Sequence, residues 1–177
     1  LADLEKGCPQ HVYKSDEKAD VHKTPIPLYS LVNLRKYAQV TIQYCRGCPF
    51  DCEFCDIVVM DGHKPRTKTR AQIIGELEAI YAQGYRGTIF IVDDNFIGNR
   101  KKLKSEIMPV IIEWQKAKGY PFRFLTEASV NLADDEELMQ LMSDSGFTRV
   151  FVGIESPNEE SLTECHKFTN KNRDLIA

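Results

Sequence analysis

From Gln39 onward the apolar positions change period several times. "QVTIQY" is short and β-branched and predicts a strand. "RAQIIGELEAIYAQG" sets Ile73, Ile74, Leu77, Ile80 and Tyr81 at helical spacing, with Thr69 as cap and Gly84 as stop. "GTIFIVDD" is almost continuously apolar, as a strand buried on both faces of a parallel sheet would be. Between Arg100 and Lys118, residues Leu103, Ile107, Val110, Ile111 and Trp114 keep a helical register through Pro109, which predicts a kink. "FRFLTEA" reads as a third strand. "DDEELMQLMSDSG" reads as a short helix with Leu138, Leu141 and Met142 inward and Gly146 at its end. "TRVFVGIES" is a fourth strand, and "NEESLTECHKF" opens a fourth helix capped by Asn158.

Four strand–helix alternations predict an α/β fold with parallel strands joined by right-handed crossovers. The pattern suits an open doubly wound sheet or part of a β/α barrel. In both, ligands gather at the C-terminal strand ends. There the chain places a cysteine loop after the first strand, Asp93 and Asp94 after the second, Glu127 after the third and Glu155 after the fourth. Solvated loop acids and helix caps are the plainer account of those carboxylates. Residues 1–38 read differently, as a tail and linker. "LADLEKG" suits the last helical turn of a preceding domain, and Pro25 and Pro27 oppose helix and central strand alike. Lacking an initiator Met and stopping at "NKNRDLIA", the sequence reads as a fragment of a longer chain, with residues 39–177 as a partial core domain.

At 177 residues the chain can bury one sizeable core. A net charge of -3 gives no electrostatic footprint for nucleic acid or an anionic membrane. No apolar run approaches the roughly 20 residues of a membrane span, and no signal peptide is evident. The expected location is therefore the cytoplasm, where disulfides are rare, and the six cysteines then point to metal binding or redox chemistry.

Four of the six, Cys45, Cys48, Cys52 and Cys55, fall within "YCRGCPFDCEFCD". Two CxxC pairs suggest a zinc site, but only Pro49, Phe50 and Asp51 separate them, against about 12 to 20 residues in paired knuckles. Without Cys45 the remainder is CxxxCxxC. Three thiolates so spaced can ligate three irons of a cubane cluster and leave the fourth open. Cys45 then reads as a bystander, and Cys8 and Cys165 as ordinary thiols.

CxxxCxxC after the first strand, with Phe54 just before the last cysteine, resembles the radical SAM superfamily. "RGCPFDCEFCDI", "PRTKT", "VDDNFIGN", "FLTEASVNLADD" and "VFVGIESPNEESL" are similar to the subgroup with an N-terminal cobalamin-binding domain, including the hopanoid-methylase-like proteins. The resemblance covers residues 25 to 177 and implies a partial (β/α)6 barrel with about four units present. It implies a 4Fe-4S cluster on Cys48, Cys52 and Cys55, with S-adenosylmethionine chelating the open iron. Asp93, Asp94 and Asn95 would meet the amino group of that cofactor, Asp94 foremost. Glu127 would face the cofactor, Glu155 would take its ribose hydroxyls, and Phe54 would lie near the adenine, with loop packing as its plainer role. Arg66 and the basic run at 100–104 read as solvated.

The implied reaction is reductive cleavage of S-adenosylmethionine to a 5′-deoxyadenosyl radical, with cobalamin-assisted methylation of a small-molecule or lipid carbon. Its partners would be that substrate and a reductant such as flavodoxin or ferredoxin, with no nucleic acid. The sequence departs from the full family pattern in having four β/α units rather than six and in lacking the glycine-containing fifth-strand motif. Two alternatives stand beside this reading: an iron–sulfur electron-transfer or scaffold module, and a radical SAM enzyme modifying tRNA.

Overall fold

A computed structural model of the chain describes residues 2–15 and 17–174, so the end of "NKNRDLIA" lies outside the described residues. The chain opens with α1 (Ala2–Glu5), followed by Gly7 at a left-handed φ of 71°. Three short 3-10 turns then lead to the sheet, with Val21 and Leu34 as buried anchors. This segment, expected as a linker, is tied to the body. The Gln72 side-chain amide donates to the Val21 carbonyl at 3.0 Å, and the Ile26 side chain rests where a Cβ on Gly75 would stand.

The strands follow as β1 (Gln39–Ile42), a two-stranded antiparallel hairpin of β2 (Cys45–Arg46) and β3 (Arg66–Thr67), then β4 (Thr88–Ile91), β5 (Arg123–Ala128) and β6 (Phe147–Val152). The main sheet is parallel, in the order β1-β4-β5-β6. Each crossover moves one strand in the same direction, and right-handed crossovers then put the connecting helices on one face. A doubly wound sheet would reverse direction partway, so the sheet is an arc of a β/α barrel.

Helices α2 (Ile57–Asp61), α3 (Arg70–Ala82), α4 (Arg100–Lys102), α5 (Met108–Lys118), α6 (Glu136–Asp144) and α7 (Glu159–Glu164) complete the fold. Thr69 caps α3 as expected, in a capping box closed by Gln72. The irregularity expected at Pro109 is a π turn over Leu103–Ile107, one residue ahead of α5. Proline has no N–H to give and its ring crowds the carbonyl four residues back, and a wider turn relieves both.

Register divides the sheet cleanly. Ile42, Ile91, Thr126 and Val150 lie side by side on the face toward the helices, where Ile73, Leu77, Ile80, Ile107, Met108 and Ile111 are buried. Thr41, Phe90, Leu125 and Arg149 line up on the opposite, inner face, which is far less covered. Phe122 stacks on Trp114 at 5.4 Å, closing the helix-side core at the N-terminal end of the sheet. Among the described residues no helix is long and apolar enough to cross a membrane.

Candidate functional site

The cysteine loop leaves β1 through the β2–β3 hairpin, which fixes both its ends. Cys45 pairs with Thr67, and Arg46 with Arg66. Directly after β2 the chain must pass close to its own return, and Gly47 allows it. Its φ is 95°, and an added Cβ would stand 2.7 Å from the Gly62 carbonyl oxygen. Only glycine fits that crossing. The Cys48 N–H donates to the same carbonyl at 3.2 Å. Arg66, expected as solvated, clamps the loop: its guanidinium pairs with the Asp61 carboxylate at 3.0 Å and also donates to the Ala19 carbonyl. Behind β3, Lys68 and Glu76 form a buried ion pair that fixes the hairpin to α3. On its far side the loop is held by the Glu53 N–H, which donates to the Cys165 carbonyl at 3.0 Å, at the end of α7.

The loop and the strand ends enclose a cavity of about 450 Å³. Cys48, Cys52, Cys55, Phe54, Asp94, Asn95, Glu127 and Glu155 all line it. Of the residues expected at the site, Asp93 alone is turned elsewhere. In the turn after β4, Asp94 enters the cavity, whereas Asp93 goes under the cysteine loop. Its Oδ1 accepts from the Tyr44 N–H at 2.8 Å, while its buried Oδ2 has no hydrogen-bond partner among the described residues. Burial drives the Asp93 carboxyl up to about 7, against the pull of the Cys45 and Tyr44 backbone N–H groups. A group so placed orders the backbone and cannot reach a ligand in the cavity. Cys45 is likewise buried away from the cavity. Desolvation, reinforced by Asp93, pushes its thiol up to about 12, so it stays protonated.

Asp94 is exposed to the cavity, its carboxyl raised by partial burial and secondarily by Asp61. Asn95 is buried between Cys48 and Ser129, with its Nδ2 3.8 Å from the Cys48 sulfur. Glu127 opens into the cavity from the end of β5. Glu155 lies past β6 in a left-handed turn with φ 65°, and Lys167 pairs with its carboxylate at 3.2 Å. That pair lies across Gly153, where a Cβ would stand 2.5 Å from Glu155 Oε1. The Lys167 ammonium also sits 5.7 Å from the Phe54 ring centroid and draws the Cys52 thiol down against the burial that raises it. Sequence reasoning missed Lys167, together with Phe50, Ser129 and Phe151 in the cavity wall. Helical spacing ran on through "CHKF", whereas α7 stops at Glu164 and His166 turns left-handed at φ 56°. No local signal marks that reversal.

All three thiols of CxxxCxxC are free and face one cavity with carboxylates around it. Among the described residues no three His, Cys, Asp or Glu side chains converge as on a single metal ion. Thiolates on separate irons of a cluster have no need to converge on one point, and soft sulfur donors are the usual ligands of such clusters. With Cys45 turned into the core, a four-cysteine zinc site lacks its fourth ligand. The donor set fits a three-cysteine iron–sulfur cluster.

The comparisons with known proteins agree with this geometry. An uncharacterized methyltransferase of Synechocystis is 51% identical over 172 residues, covering 97% of this chain and 32% of its own. The hopanoid C-2 methylase of Rhodopseudomonas palustris is 42% identical over 168 residues, covering 95% and 32%. The chain thus spans about a third of the length of these curated relatives. Among solved structures, the cobalamin-dependent S-adenosylmethionine radical enzyme OxsB, with aqua-cobalamin and S-adenosylmethionine bound, superimposes with a TM-score of 0.70. It is 19% identical, and the match covers 87% of this chain and 24% of that one. The radical S-adenosylmethionine methyltransferase TsrM of Kitasatospora setae gives 0.64 at 22% identity, over 73% and 24%. At such identities the two structures speak for the fold. The radical SAM superfamily model matches residues 42–175, which takes in the cysteine loop and every strand-end acid, and the chain belongs to that superfamily.

Proposed function

We propose that this chain is the cofactor-holding part of a radical SAM methyltransferase that acts on an unactivated carbon of a small molecule or lipid. Cys48, Cys52 and Cys55 would hold a 4Fe-4S cluster, and Asp94, Glu127 and Glu155 would hold S-adenosylmethionine beside it. The observation that carries this reading is that the three thiols and the three carboxylates, brought from four strand ends, line one cavity. When bound, the cluster and S-adenosylmethionine supply reductive cleavage of the sulfonium and a 5′-deoxyadenosyl radical.

The residues of the chain supply position and charge. A carboxylate at Asp94 suits an ammonium, and its place after β4 directs it inward. Glu155 can accept from both hydroxyls of a ribose. Lys167 now holds that carboxylate, so ribose binding must share or displace the ion pair. Phe50, Phe54 and Phe151 give the cavity an apolar wall that limits water around a reactive species. Cobalamin would be held by a part of the protein outside this chain, as the length of the relatives permits. An electron carrier such as flavodoxin or ferredoxin would supply the electron. The net charge of -3 speaks against a nucleic-acid substrate.

The test is anaerobic reconstitution with iron and sulfide, reduction, and addition of S-adenosylmethionine. The expected product is 5′-deoxyadenosine, lost in Asp94→Asn and Glu155→Gln variants that still carry the cluster. A full cluster that yields none, with an EPR signal unchanged by S-adenosylmethionine, would favour an electron-transfer module and contradict the proposal.

A further inference from the structure

Asn95 has contacts that a role toward the amino group of S-adenosylmethionine leaves unexplained. It is only 4% exposed, and its amide lies between two elements of the site. Its Oδ1 accepts from the Ser129 backbone N–H at 3.3 Å, at the end of β5. Its Nδ2 lies 3.8 Å from the Cys48 sulfur. The orientation of an asparagine amide follows from its partners, and here a backbone N–H requires the oxygen on the Ser129 side. The NH2 therefore faces the sulfur. The Ser129 hydroxyl has one proton, and its shorter contact, 2.7 Å, goes to the Asn131 Oδ1. The backbone N–H is accordingly the donor that fixes Asn95.

We propose that Asn95 donates a hydrogen bond to the Cys48 sulfur and thereby raises the reduction potential of the cluster that Cys48 would ligate. This rests on the reading of the site given above. Reduction adds negative charge to a cluster and its thiolates, and an N–H aimed at a thiolate stabilises that charge. Cluster potentials respond to hydrogen bonds at sulfur. The effect is larger in a site of low dielectric, and this amide is buried. The second proton of the amide remains free for a ligand in the cavity, so the two roles are compatible. Asn95 is thus a positioning and tuning residue, set by β5 through Ser129 and acting on the loop that follows β1.

The test compares wild type, Asn95→Leu and Ser129→Ala after anaerobic reconstitution, with iron and sulfide counted per chain before an EPR-monitored redox titration. Leucine keeps the branching at Cγ, is somewhat larger, and has no donor. Asn95→Leu should lower the midpoint so that the ratio of reduced to oxidised cluster at fixed potential falls about tenfold, or ~59 mV for a one-electron couple. Ser129→Ala keeps the backbone N–H and should leave the midpoint near that of wild type. A fully loaded Asn95→Leu protein with the wild-type midpoint would overturn the proposal. If that variant fails to assemble a cluster, the wild-type protein still decides. Asparagine labelled with 15N at the side-chain amide should give a weak coupling to the reduced cluster in pulsed EPR, and its absence would overturn the assignment. A wild-type chain that takes up no iron and sulfide would overturn the reading of the site, and this inference with it.

Discussion

Asp93 and Asp94 are neighbours of the same chemical type, and the turn after β4 gives them opposite work. Asp94 keeps access to the cavity, while Asp93 is 1% exposed and bound to the backbone of the cysteine loop. The cost of burying Asp93 shows in its pKa, raised from 3.8 to about 7. Between those values the folded chain holds a proton that the unfolded chain has lost. The contribution to stability is therefore complete below the unfolded pKa and disappears as pH rises through about 7. Chemical denaturation should show a loss on the order of 2–3 kcal/mol between about pH 5 and about pH 8 from this group. In Asp93→Asn that slope should flatten, because an amide oxygen can still accept from Tyr44 and nothing titrates. An unchanged slope in the variant would place the titration elsewhere.

At the scale of the element, the hairpin of β2 and β3 decides where the thiols stand. Two residues per strand give it little pairing of its own, so its shape depends on the crossing at Gly47 and on the clamp of Arg66 to Asp61. Gly47→Ala forces a Cβ against the Gly62 and Lys64 carbonyls at a positive φ, and backbone cannot yield as a side-chain tip would. A loss of about 1–3 kcal/mol in stability is expected, with reduced iron uptake after reconstitution. Full uptake and unchanged stability would show that the crossing can relax. The longer elements were legible beforehand. Ile73, Leu77 and Ile80 announce α3, and Thr69 its start, because each signal is local. The hairpin was not legible, since its four residues pair across a loop. The reversal after α7 that brings Lys167 over Glu155 was hidden for the same reason: it depends on tertiary contacts. The π turn before Pro109 shows the intermediate case, where the cause was visible and the form of the response was not.

Over the whole molecule, the sheet order answers a question the pattern of elements left open. β1-β4-β5-β6 without reversal is an arc of a barrel, with the connecting helices on the outer side. The strand-end rule then explains why residues as far apart as Cys48 and Glu155 share one cavity. Asp94, Glu127 and Glu155 line that cavity from three strand ends, whereas Asp93 lies under the cysteine loop. Phe151 and Val152 of β6, the last strand of the arc, and Ile154 just past it are exposed.

The proposed cluster would sit on Cys48, Cys52 and Cys55 with one iron free of protein ligands, while Cys45 belongs to the core. Mössbauer spectroscopy of chain reconstituted with iron-57, with and without S-adenosylmethionine, tests it most directly. In wild type and in Cys45→Ala alike, S-adenosylmethionine should split off one iron site in about four, and Cys52→Ala should hold no stable cluster. A spectrum indifferent to S-adenosylmethionine, or a Cys45→Ala chain that loses its cluster, would contradict this assignment of ligands.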